Sequence, residues 1–324
     1  MKIDIFAHFL PRKYFDRLLK KAKNADFSRS GGWMLQNPAL SNIDVRLKVM
    51  DRYPDVLQVL TVATPPMETL VGPKDAAELA QIANDEMAEL VARHPDRFVA
   101  AVACLPLKNI DAALKEADRA ITKLHMRGAQ VFTNVNGEML DAREFRPLYE
   151  KMVHHDLPLW IHPVDPLIMR SAPKGVAGPI QNWINHLPMG SFIWPFETAL
   201  TMLSLVNAGT FIDFPTIKFI THHCGGMVPF FERRIKRVAN AEHLHKFYND
   251  TAVYGNTSAL MCGYDYFGPD RLLFGTDMPL GATGQGGYGY TWDTVRSVEQ
   301  MSVPDADKTK IFEENTRKLL RLTI

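Results

Sequence analysis

Short apolar runs alternate with longer amphipathic stretches along almost the whole chain. Val56 to Val62 is β-branched and apolar throughout, the composition of a strand buried on both faces. Phe98 to Ala103, Ala129 to Phe132, Leu159 to Ile161, Ile217 to Thr221 and Leu272 to Phe274 repeat that character, and Ile3 to Ile5 is a shorter version. Between them, Ile43 to Tyr53 has apolar residues at helical spacing through Val45, Leu47, Val49 and Met50. Further helices are predicted over Ala76 to His94, stopped before Pro95, and over Ile110 to Leu124 and Phe145 to His155. Glu197 to Ala208 is another, closed by Gly209, followed by one around Phe230 to Ala241 and a last one from Asp305.

Regular alternation of strand and helix implies a parallel sheet, and continuous apolar strands imply helices on both faces of it. About eight such units favour closure into an α/β barrel of the (β/α)₈ TIM type over an open doubly wound sheet. One domain over residues 1–324 is expected. Two stretches, at about 26–42 and 165–195, break the rhythm with Gly, Pro and the tryptophans Trp183 and Trp194. They are expected to be insertion loops over the C-terminal face of the strands, since long loops in compact domains are often lids or binding loops.

Composition narrows the class of partner. The 324 residues carry 37 Lys and Arg against 36 Asp and Glu, a net charge of +1, which gives no bulk attraction to nucleic acid or to a membrane surface. The basic group Arg233, Arg234, Lys236 and Arg237 reads as a solvated helix face. Cys104, Cys224 and Cys262 are odd in number and far apart, which argues against a disulfide framework and fits a reducing cytoplasm. No apolar run is long enough to span a bilayer.

The chemistry lies at the strand ends, where such barrels place their catalytic groups. His8 follows the first strand and His162 the fifth apolar run. His222 and His223 follow Thr221, and Asp277 follows Phe274 within Gly275-Thr276-Asp277-Met278-Pro279. Imidazoles with one carboxylate suit a first-row divalent metal with an open position. Because successive strand residues point to opposite sides, only one of His222 and His223 is expected to face the mouth. Gly284-Gln285-Gly286-Gly287-Tyr288-Gly289 has dinucleotide-fingerprint spacing but opens no strand-turn-helix unit, so it reads as a loop near the site. Phe6, Trp160, Trp194 and Phe196 give the region aromatic character, which suits a flat conjugated acid.

These residues carry a family resemblance over nearly the whole length. The opening from Met1 to Pro11, Asp44-Val45-Arg46, Trp160-Ile161-His162-Pro163, His223-Cys224-Gly225-Gly226 and Gly275-Thr276-Asp277-Met278-Pro279 resemble the amidohydrolase-2 family. The similarity is to its branch of aminocarboxymuconate-semialdehyde and hydroxybenzoate decarboxylases. The resemblance implies non-oxidative decarboxylation of a small aromatic or conjugated acid. It implies a divalent metal, zinc or alternatively manganese, on His8, His162 and Asp277, with His223 as acid/base and Asp277 assisting. It further implies Arg46 on the substrate carboxylate and Arg234 reaching a neighbour's site in a homodimer, with Phe6 and Trp194 lining the pocket. The chain departs from the pattern at Phe6, where the family has a His or Glu ligand. That leaves either a weakened three-ligand centre or a metal-free site in which His8 and Asp277 pair. Hydrolysis or hydration on the same site, of a lactone or an unsaturated dicarboxylate, is a second reading. A non-catalytic barrel is a third.

Overall fold

A computed structural model describes residues 1–22, 37–63, 65–164, 189–279 and 289–324. Most of the insertion expected at 26–42, much of that at 165–195, and nearly all of the Gly284–Gly289 loop lie outside the described residues.

The predicted strands, with one more, form a closed parallel ring. β1 (Lys2–Phe9) pairs with β2 (Val56–Val62), and β2 with β3 (Phe98–Ala101). One residue later the third stave continues as Ala103–Cys104 and pairs with β4 (Ala129–Phe132). β5 (Leu159–His162), β6 (Phe219–Thr221), β7 (Tyr248–Asp250) and β8 (Leu272–Leu273) follow in order. The ring closes where Ile5 N–H donates to Phe274 and His8 N–H to Met278, beside a bridge from Ala7 to Met278. The eight-stave barrel is therefore the observed architecture, with helices outside it. The α-helices of six residues or more are α1 (Arg12–Lys21), α2 (Ile43–Met50), α3 (Pro73–Arg93), α4 (Ile110–Thr122), α5 (Arg146–His155), α6 (Met189–Asn207), α7 (Thr257–Phe267), α8 (Gly289–Glu299) and α9 (Asn315–Leu320).

Two apolar layers hold this arrangement. Ile3, Ile5, Phe6, Val59, Ala100, Val102, Trp160, Ile220 and Leu273 fill the lumen, so the barrel is packed rather than hollow. Trp160 belongs to this core, its indole N–H donating to the Ile5 carbonyl, and not to a pocket wall. A larger cluster lies between staves and helices. The pairing of β1 with β2 shifts register between Asp4 and Ala7. Such a bulge resets which side chains point inward, and Ile5 and Phe6, adjacent in sequence, both join the lumen cluster.

Three expectations are corrected. The helix expected from Glu197 begins at Met189, so Trp194 and Phe196 sit on α6 rather than in a loop. Pro195 lies inside that helix, where it removes one backbone donor without ending the helix. The helix expected around Phe230 to Ala241 is broken into Glu232–Ile235 and a 3₁₀ stretch, Ala241–Lys246, because Asn240 adopts a left-handed conformation. β7 has no counterpart among the predicted strands. Its Tyr-Asn-Asp sequence is polar, yet Asn249 and Asp250 are fully buried.

Candidate metal centre

Strand ends bring His8, His162, His222 and Asp277 together, with one potential ligand atom from each lying within 4.8 Å of all the others. All four are buried. The predicted trio of His8, His162 and Asp277 is thus assembled, and His222 is added to it.

Each imidazole is oriented through its Nδ1. His162 donates Nδ1–H to the Pro163 carbonyl at 2.7 Å. His222 donates Nδ1–H to Asp250, whose Oδ1 is fixed by the backbone N–H groups of Cys224 and Ala252 at 3.2 and 3.0 Å. His8 Nδ1 lies 3.0 Å from Thr61 Oγ1. With Nδ1 occupied on all three rings, Nε2 is the atom left facing the centre. His8 Nε2 and His222 Nε2 approach Asp277 Oδ1 at 3.1 and 3.3 Å, and His162 Nε2 has no hydrogen-bond partner among the described residues. Imidazoles tied through one nitrogen to a carboxylate or carbonyl, with the other aimed at a shared point, are the usual surroundings of a metal. The donor set fits a divalent ion.

The electrostatics agree. Burial alone favours a neutral His222, but the Asp250 and Asp277 carboxylates outweigh it and push its pKa up to about 10. Burial likewise opposes ionisation of Asp277, and His222 and His8 hold it well below the usual carboxylate range. Burial keeps His8 and His162 neutral. The His222 proton is thus the positive charge that balances two buried carboxylates, and a metal ion would occupy the same electrostatic position.

Phe6, where the family resemblance implies a ligand, offers no donor atom. Its ring stacks on His222 at 4.2 Å and 23° and forms an apolar floor beneath the imidazoles. His223 does not follow strand alternation, because β6 ends at Thr221 and the four residues His223–Gly226 all have positive φ. That turn folds the His223 ring back onto His222 at 4.0 Å, so both histidines lie at the site. The turn requires glycine at Gly226, where a Cβ would come 2.1 Å from the Pro195 carbonyl oxygen of α6. His223 is buried with neither nitrogen partnered among the described residues, and burial keeps it neutral. Trp194 closes the far side, 5.7 Å from the His162 ring and 6.3 Å from His223, with its indole N–H unpartnered among the described residues.

Arg46 is fully buried beside β1. Its Nε donates to Gln58 and its Nη1 to the His8 carbonyl, while Nη2 has no partner among the described residues. Arg234 lies outside the cluster. It is exposed and lines an apolar groove of about 280 Å³ with Phe196, Leu200, Leu203, Met227 and Phe231.

Asp4 and Asp250 were missed by inspection of strand ends, since Asp4 lies within a strand and Asp250 ends an unrecognised one. Asp4 accepts from the Thr276 backbone and hydroxyl, and Thr276 Oγ1 accepts from Met278 N–H, so Asp4 holds the loop that carries Asp277. Burial raises its pKa to about 7. Asp4→Ala is expected to cost about 2–3 kcal/mol in urea unfolding, since it orphans buried donors. The native carboxyl binds its proton more tightly than the unfolded one, at 3.8. Wild-type stability relative to Asp4→Asn should therefore decline as pH rises from about 4 to about 7. Parallel stability curves for the two proteins would refute this.

Comparison with known proteins agrees with the geometry. The chain is 29% identical over 311 residues to a γ-resorcylate decarboxylase of Rhizobium sp. (strain MTP-10005), covering 89% of this chain and 90% of the relative. It is 28% identical over 314 residues to the 2-amino-3-carboxymuconate-6-semialdehyde decarboxylase of Dictyostelium discoideum, covering 86% and 82%. A solved dihydroxybenzoic acid decarboxylase from Polaromonas sp. JS666, with bound manganese and the inhibitor 2-nitroresorcinol, superposes with a TM-score of 0.80 at 25% identity. That match covers 100% of this chain and 97% of the other. The amidohydrolase family model matches residues 3–322, and the chain belongs to that family.

Proposed function

We propose that this protein is a metal-dependent, non-oxidative decarboxylase of a small aromatic or conjugated carboxylic acid. The observation that carries the reading is the placement of His223. A buried imidazole with both nitrogens free of partners among the described residues stacks against a His₃Asp centre. The relatives named γ-resorcylate decarboxylase and the manganese-bound dihydroxybenzoic acid decarboxylase support both the reaction and the metal.

His8, His162, His222 and Asp277 would hold the ion, manganese or zinc, and when bound it would supply Lewis acidity at the site. His223 delivers the proton to the carbon that loses CO₂, a role that histidine suits. Arg46, whose Nη2 has no partner among the described residues, takes the substrate carboxylate. Trp194 bounds a flat slot for the ring, and Phe6 backs the imidazoles from below. Arg234 acts across a homodimer: Phe230, 78% exposed and packed on Phe231, together with the groove that Phe196, Phe231 and Arg234 line, forms the apolar face that a second copy covers. Among the described residues no helix is long and apolar enough to cross a membrane.

The test is elemental analysis followed by incubation with 2,6-dihydroxybenzoate-type and muconate-type acids. About one manganese or zinc per chain and release of CO₂ are expected. Turnover of lactones or unsaturated dicarboxylates without CO₂ would replace this reading with hydrolysis or hydration.

A further inference from the structure

After β7 the chain makes a left-handed turn that carries a phenol over Asp277. Tyr254 has φ of +53° and Gly255 of +78°. A bulky aromatic residue in that region is uncommon and unfavourable, and it persists only where its surroundings hold it. The surroundings do so here. A Cβ on Gly255 would lie 2.8 Å from the Cβ of Asp293, so the turn is pressed against α8. Asn256 then caps α7 by accepting from Ala259 N–H. The Tyr254 ring stacks face to face on Tyr290 of α8, with 4.0 Å between centroids and 10° between planes. Tyr254 is nevertheless 41% exposed, so it stands at the barrel mouth rather than in the core.

From this clamped position the Tyr254 hydroxyl donates to Asp277 Oδ2 at 3.4 Å. The other oxygen, Oδ1, faces His8 Nε2 and His222 Nε2. The two carboxylate oxygens are therefore distinguished, one turned to the imidazoles and one tied to the phenol. Asp277 itself has φ of +63°.

We propose that Tyr254 is a positioning residue that orients the Asp277 carboxylate for a divalent metal, with Tyr290 holding the phenol in place. The inference rests on the metal-centre reading given above. Partners that orient ligand groups from behind typically change metal affinity 10- to 100-fold when removed. Tyr254 would act in that range through its hydroxyl alone. If the tyrosine pair only packs the turn against α8, the ring matters and the hydroxyl does not.

Tyr254→Phe keeps the stack and deletes the hydroxyl. Wild type and variant would be stripped with a chelator and titrated with Mn²⁺ in a calorimeter, with thermal melting of the metal-free proteins alongside. The expected result is an about 10- to 100-fold weaker Mn²⁺ affinity in Tyr254→Phe and an unchanged metal-free melt. Equal affinities in two proteins that both bind Mn²⁺ would overturn the role of Tyr254 and leave the metal centre standing. A wild type that takes up no Mn²⁺ would overturn both.

Discussion

Replacing His222 with alanine is expected to strip the centre of metal and reduce CO₂ release to background. Phe6 carries no atom that could coordinate an ion. His8, His162 and Asp277 alone make a three-residue site, and His222 Nε2 closes it from the fourth side, 3.3 Å from Asp277 Oδ1. Its Nδ1–H is held by Asp250, whose own oxygen is held by two backbone donors, so the ring is built to present Nε2 in one direction. Removing a ligand should cost more than the roughly 10- to 100-fold in affinity that removal of an orienting partner costs. The same substitution deletes the proton that balances Asp250 and Asp277, so the metal-free variant should also be less stable. Phe6→His in the His222→Ala background returns an imidazole near the vacated position and is expected to recover part of the metal. Metal content by elemental analysis reads both variants. A His222→Ala protein that keeps a full equivalent would show that three ligands suffice and that His222 does something else.

The parts of this site that were legible in sequence follow a simple rule. Apolar runs marked the staves, and the polar residue just after each run marked the mouth: His8, His162 and Asp277 were found that way and do converge. The rule failed where the backbone departs from regular strand geometry. His222 and His223 were expected to diverge, but four successive positive-φ residues turn the second ring onto the first. No pattern of apolar and polar residues encodes that turn, although Gly225-Gly226 hints at it. Asp250 was missed because β7 is short and polar, its buried Asn249 and Asp250 being satisfied by hydrogen bonds rather than by apolar contact. Asp4 was missed because the bulge in β1 sends its carboxylate to the Thr276 loop, a contact 272 residues distant in sequence. Tyr254 carries no sequence signal beyond the glycine after it. Pro195 is the opposite case, a proline inside α6 at the end of a stretch whose composition predicts a loop. Long-range register and left-handed backbone thus account for most of what pattern could not supply.

The two histidines of the turn are separable by experiment, and His223→Asn is the variant that separates them. Asparagine keeps a polar side chain of similar reach but cannot carry a proton between substrate and solvent. His223 makes no hydrogen bond among the described residues, so its loss should leave the fold intact. It is also absent from the four residues whose ligand atoms converge, so metal content should hold at the wild-type level. The expected result is a 10²- to 10⁴-fold fall in CO₂ release with unchanged metal, the range that a positioned acid or base contributes. Set beside His222→Ala, the outcome discriminates between two assignments of the same pair. If His223→Asn releases CO₂ at the wild-type rate while His222→Ala keeps its metal and is inactive, the proton donor is His222. In that case Asp250 is the group that orients it, and the positive charge on His222 that the two carboxylates stabilise is the proton delivered to the substrate. If His223→Asn is inactive with its metal in place and His222→Ala has lost its metal, the chain has compensated for Phe6 by recruiting His222 as a ligand and leaving proton transfer to its neighbour.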